Sequence, residues 1–117
     1  MAEDLADPEP DHNVVVHEFA HKLDMINGRA NGMPRLHRSM VRQAWTDALS
    51  SGFERLQRRL SQHHRTVIDP YGASNPAEFF SVVSEMFFTD ASTLQRRYGD
   101  VYQQLVLFYR QDPAEPE

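Results

Sequence analysis

The sequence predicts a mainly helical fold, and three observations carry that expectation. Apolar residues recur at three- and four-residue intervals through most of the chain. No stretch of useful length alternates apolar and polar residues with the period of two that a half-buried strand requires. Asn75-Pro76-Ala77-Glu78 combines three helix-start signals, with Asn at the cap, Pro at the first helical position and Glu at the third.

Each element can be placed in turn. Asn13 stands where a cap belongs, and Val15, Phe19, Leu23 and Ile26 mark the core face of a first helix that stops at Asn27-Gly28. Arg29 to Arg35, with Gly32 and Pro34, reads as loop. From about His37 to Gln62 the residues Met40, Trp45, Ala48, Leu49, Phe53, Leu56 and Leu60 keep helical spacing, and Ser50-Ser51-Gly52 can bend or divide that helix. His63 to Ser74 is loop, turning at Asp69-Pro70-Tyr71-Gly72. The third helix runs from its Asn75 cap to Phe88. Thr89 or Asp90 caps a short helix to Tyr98, and Gly99-Asp100 opens a last one to about Gln111, ahead of Pro113.

The 117 residues suffice for one core, and 40% hydrophobic with 25% charged residues is a globular balance. No apolar run approaches the roughly 20 residues of a membrane span, and the acidic opening has neither the basic nor the apolar region of a signal peptide. The expectation is a soluble cytoplasmic protein without a membrane partner. Zero cysteines exclude disulfides, a thiol nucleophile and thiolate metal sites, which leaves His, Asp, Glu and Tyr for any metal chemistry.

The net charge of -5 is unevenly spread. Eight of the seventeen acids and none of the bases lie in residues 1–12 and 112–117, which read as a flexible acidic lead and tail. The domain between them, 13–111, holds nine acids against twelve bases. Its arginines look spread over helical faces, so direct nucleic-acid binding is not expected.

His17-Glu18-Phe19-Ala20-His21 is an HExxH motif. On a helix the two histidines lie about 40° apart and one turn along, so both imidazoles can reach one metal ion. Glu18 is turned about 100° from His17, where its carboxylate can take a proton from the attacking water without coordinating. A catalytic zinc wants a third protein ligand and an open position. The downstream acids on predicted helices are Asp47, Glu54, Glu78 and Glu85, and Glu54, among Arg55, Arg58 and Arg59, reads as part of a solvated face. Glu78 opens an otherwise apolar helix, where an unpartnered acid is costly, and is either the third ligand or the Glu of a capping box. Glu85, two turns along the same face, suits an acceptor for a ligand histidine N–H. Asp24 either orients His21 or caps the end of its helix, while His12, His37, His63 and His64 read as solvated. Trp45 reads as a core anchor.

HEFAHKLD at His17 to Asp24, DPYGASNPAEFF at Asp69 to Phe80, VVSEMFF after it and FYRQDP at Phe108 to Pro113 together resemble the Mlc titration factor A family of bacterial zinc-dependent peptidases. The interval from Tyr71 to Glu78 is also similar to that in the catalytic domain of anthrax lethal factor. The resemblance implies one zinc per chain on His17, His21 and Glu78, Glu18 as general base, and Tyr71 as a donor to the oxyanion. It implies the helical half of a zincin-like metallopeptidase fold, whose upstream mixed sheet has no counterpart in this sequence, and an aminopeptidase-like action on peptides. Without that sheet the chain is expected to turn over peptides weakly and to self-associate through an uncovered apolar surface. The alternative it implies is a regulatory protein that sequesters a transcriptional repressor.

Overall fold

The structure, a computed structural model, describes residues 14–25 and 31–115. Within them the regular elements are helices: α1 (Val14–Met25), α2 (Arg42–Ser61), a single 3-10 turn (Pro70–Ala73), α3 (Pro76–Thr89), α4 (Ala91–Arg97) and α5 (Gly99–Tyr109). The mainly helical expectation is met, and no strand occurs among the described residues. The acidic lead, Asn13, Ile26, the Asn27-Gly28 stop and residues 116–117 lie outside them.

Helix α3 is the axis of the fold. Ala77 and every residue from Phe79 to Phe87 are buried, as a helix apolar nearly all round must be. Helix α1 packs against it, as do α2, α5, the 3-10 turn and, at its C-terminal end, α4. Helix α2 runs unbroken through Ser50-Ser51-Gly52. Gly52 lets it approach closely, because a Cβ there would stand 2.8 Å from Val101 Cγ2 and 2.9 Å from Phe79 Cζ. That helix starts at Arg42, later than the apolar spacing suggests, since His37 to Met40 closes a separate turn with the Met40 N–H on the His37 carbonyl. Trp45 is the expected anchor, set against the Phe80 and Phe108 rings with its Nε1–H donating to the Gly32 carbonyl.

The packing face of α1 differs from the expected one. Ala20 and Asp24 are fully buried and Leu23 is half-buried, whereas Val15 and Phe19 are 77% and 57% exposed. The buried face lies about 20–60° round from His17, so one side of α1 both packs and carries the histidines. Ala20, fully buried, belongs to the core. Helix α5 ends with Arg110 in the left-handed region, and the segment beyond is tied back to it. The Tyr102 hydroxyl donates to the Asp112 carboxylate and accepts from the Ala114 N–H.

Candidate metal centre

The first turn of α3 explains how Glu78 becomes available. The Asn75 side chain accepts from the Glu78 N–H at 2.9 Å, so Asn75 makes the cap and the Glu78 carboxylate is released toward α1. It lies 3.0 Å from His17 Nε2 and 3.1 Å from His21 Nε2. Glu78 thus starts a helix with its backbone and faces the histidine pair with its side chain.

Candidate ligand atoms of His17, His21 and Glu78 all lie within 4.8 Å of one another. Tetrahedral zinc with bonds of about 2.0–2.1 Å places its ligand atoms about 3.3 Å apart, close to the nitrogen–oxygen separations seen here. The donor chemistry fits as well. A carboxylate and an imidazole lone pair are both acceptors, and they sit this close only with a cation, a proton or a metal ion, between them. His17 Nδ1 is 3.2 Å from Glu85 Oε1, and Glu85 is 2% exposed. Donation from Nδ1 to that buried carboxylate would hold the tautomer whose Nε2 lone pair faces Glu78. The expected acceptor role of Glu85 therefore has its geometry.

Glu18 is exposed on the flank of α1. Tyr71 is 55% exposed, and its ring centroid stands 6.3 Å from that of His17. The 3-10 turn carrying it is shaped by Asp69, whose carboxylate accepts the Tyr71 N–H at 2.9 Å, and is seated on α3 by Gly72, packed against Val82. The charge of Glu78, followed by desolvation and hydrogen bonding, raises the Tyr71 phenol above its ordinary value, so the two groups are electrostatic neighbours.

Among the described residues Asp24 reaches a loop beyond its own helix. Its buried carboxylate accepts the Gly32 N–H at 2.6 Å and the Met33 N–H at 3.2 Å, binding α1 to the loop that precedes α2. Gly32, at φ +80°, lies where a Cβ would stand 2.7 Å from the Pro76 carbonyl oxygen, so this loop in turn abuts the start of α3. His37 is not a free solvated residue, because its Nε2 donates to the Phe108 carbonyl at 2.7 Å. His63 and His64 are exposed as expected, and His12 lies outside the described residues. Asp47 and Glu54 are exposed, Asp47 accepting from Gln43.

One group escaped the reading of the sequence. Arg55, Arg58, Arg59 and Arg97 line a cavity of about 290 Å³ with Val67 and Tyr98, so these arginines are gathered where helical faces alone suggested dispersion. The signal was the spacing of the first three, at i, i+3 and i+4. A second cavity, of about 240 Å³, lies between Gly32, Trp45, Phe53 and Pro76. His17, Glu18, His21, Tyr71 and Glu78 line neither cavity.

The family described as glucose-regulated metallo-peptidase M90 matches residues 1–110. An uncharacterized protein of Synechocystis is 45% identical over 113 residues, covering 97% of this chain and 41% of the relative. Mlc titration factor A of Edwardsiella ictaluri is 41% identical over 107 residues, covering 89% of this chain and 41% of the relative. Mlc titration factor A of Yersinia pestis is 42% identical over 104 residues, covering 86% and 38%. The chain spans about two fifths of the length of these curated relatives. No helix among the described residues is long and apolar enough to cross a membrane.

Proposed function

The chain belongs to the glucose-regulated metallo-peptidase M90 family, and from that premise we propose that it carries the zinc centre of an aminopeptidase-like metallopeptidase acting in the cytoplasm. The observation that supports this reading is the convergence of His17, His21 and Glu78 from two helices, with Glu18 exposed beside them. The proposed metal-binding unit is 13–111, with 1–12 and 112–117 as acidic flanks. Zinc, when bound, supplies a Lewis acid that brings the pKa of water to about 7. His17, His21 and Glu78 hold it, and Glu85 keeps the Nδ1 proton of His17 in place. The Glu18 carboxylate takes a proton from the attacking water and returns it to the leaving amine. The Tyr71 hydroxyl donates to the oxyanion that forms on the peptide carbonyl.

A second reading, binding of a transcriptional repressor with little turnover, is favoured by the name Mlc titration factor A that two of the relatives carry. Glu18 discriminates between them, since holding a metal does not require it. Elemental analysis of protein purified without added metal should find one zinc per chain. Glu78→Gln should lose most of it while keeping its helix content by circular dichroism, because the Asn75 cap and the apolar faces of α3 are untouched. Unchanged zinc stoichiometry and affinity in that variant would remove Glu78 from the ligand set.

A further inference from the structure

We propose that the arginine cavity between α2 and the junction of α4 with α5 binds a phosphate group carried on a small soluble molecule, at a site separate from the metal centre. Four arginines line it, Arg55, Arg58, Arg59 and Arg97. Asp100 balances one of these charges, bonded to Arg55 Nη2 at 2.7 Å. Two of the four are held in place before any ligand arrives. Arg55 is fixed by Asp100 and lies over the Tyr98 ring at 4.6 Å, and Arg59 donates through Nε and Nη2 to the Arg65 carbonyl. The guanidiniums of Arg58 and Arg97 make no hydrogen bond or ion pair among the described residues, leaving their donors to a ligand.

Tyr98 shows how closely the charges are grouped. Burial raises its phenol above the ordinary value, and the charges of Arg55, Arg59 and Arg97 all pull it back. Like charges held round one ring repel, and an anion with several acceptor edges relieves that repulsion. The planar fork of arginine matches phosphate oxygens two at a time, and a phosphate monoester offers three terminal oxygens and nearly two charges. A carboxylate has one edge for one fork and would leave the other arginine unmatched. The cavity, at about 290 Å³, suits a compact ligand. Its charge is confined to one hollow and does not follow the track that a nucleic-acid backbone requires.

The test is titration of inorganic phosphate and of glycerol phosphate into the ¹⁵N-labelled chain, with ionic strength held constant by chloride. The arginine side-chain Nε–Hε resonances report binding. Anionic phospholipid vesicles and a short single-stranded oligonucleotide are titrated in parallel. Both soluble phosphates should produce saturable shifts confined to the cavity arginines. Arg58→Ala with Arg97→Ala should weaken binding by about tenfold or more, the loss expected for charge-assisted hydrogen bonds, with helix content and zinc content unchanged. Lysine at the same two positions should restore only part of the affinity. Absence of saturation, undiminished binding in the alanine double variant, or binding to vesicles or oligonucleotide alone would each overturn the proposal.

Discussion

Replacing Glu85 separates metal affinity from fold stability. Its carboxylate is buried and lies 3.2 Å from His17 Nδ1, on the side of the ring away from Glu78. Glu85→Gln keeps the shape and an acceptor oxygen but removes the charge. A hydrogen bond to a charged group contributes about 1.5–3 kcal/mol and a neutral one about 0.5–1.5 kcal/mol. The exchange therefore costs about 1–1.5 kcal/mol, or roughly fivefold to tenfold in zinc affinity. Glu85→Leu removes the acceptor altogether and should cost about 10–100-fold, the range typical of groups that orient a metal-bound histidine. The metal-free fold should change little in Glu85→Gln, whose amide oxygen still accepts from His17 Nδ1, and should lose stability in Glu85→Leu, which leaves that donor without its acceptor. Competition with a chromophoric chelator measures the affinity, and thermal unfolding of the chelated protein measures the fold. Zinc affinity equal to wild type in both variants would refute the argument that Glu85 sets the His17 tautomer.

Further outcomes follow from the same geometry. Glu18→Gln should retain zinc and, in a turnover assay on small aminoacyl substrates, lose about 10² or more in rate; loss of zinc with activity would place Glu18 in the coordination shell. Chelation of the metal should speed amide hydrogen exchange in α1 well before α2 and α5, because two of the candidate ligands sit on α1 and one on α3; uniform exchange along the chain would show that no ion joins them. Burial pushes the Tyr109 phenol up to about 12, while its hydroxyl donates to Ser84. The neutral form is thus favoured in the folded state, and this contribution is complete below pH 10 and is lost as pH rises toward 12. Tyr109→Phe should flatten part of the alkaline fall in stability, measured by denaturant unfolding across that range, and an unchanged slope would discount the burial.

The parts of this molecule that were legible are those whose cause is local. The Asn75 cap, the proline at the start of α3 and the spacing of His17 and His21 act within one or two turns, and the structure reproduces all three. The candidate third ligand was legible for a different reason: an acid at the head of an apolar helix must find a partner, and here it faces two histidines from α1. What local pattern could not supply was the choice between faces. Val15 and Phe19 keep helical spacing yet are exposed, since the face of α1 that is buried carries Ala20 and Asp24. Asp24 bonds residues eight and nine positions on, and Arg97 joins Arg55 across the fold, so neither role leaves a mark within a helical turn.

The three candidate ligands all lie at one seam, so on the proposed assignment metal affinity is a property of that seam. Among the described helices, α1 packs against α3 alone. A twelve-residue helix has little stability of its own, so the order of α1 depends on that contact. At one side of the seam Asp24 binds Gly32 and Met33, and Gly32 abuts Pro76, which joins α1 to the head of α3 through backbone contacts. Within the seam His17 reaches both Glu78 and Glu85, seven residues apart on α3, and His21 reaches Glu78. A cation held there joins the two helices directly, so ion binding and the docking of α1 stabilise each other by linkage. Enlarging Ala20 or neutralising Asp24 must then weaken metal binding without touching a ligand, because either change acts on the docked state that brings His17 and His21 to Glu78.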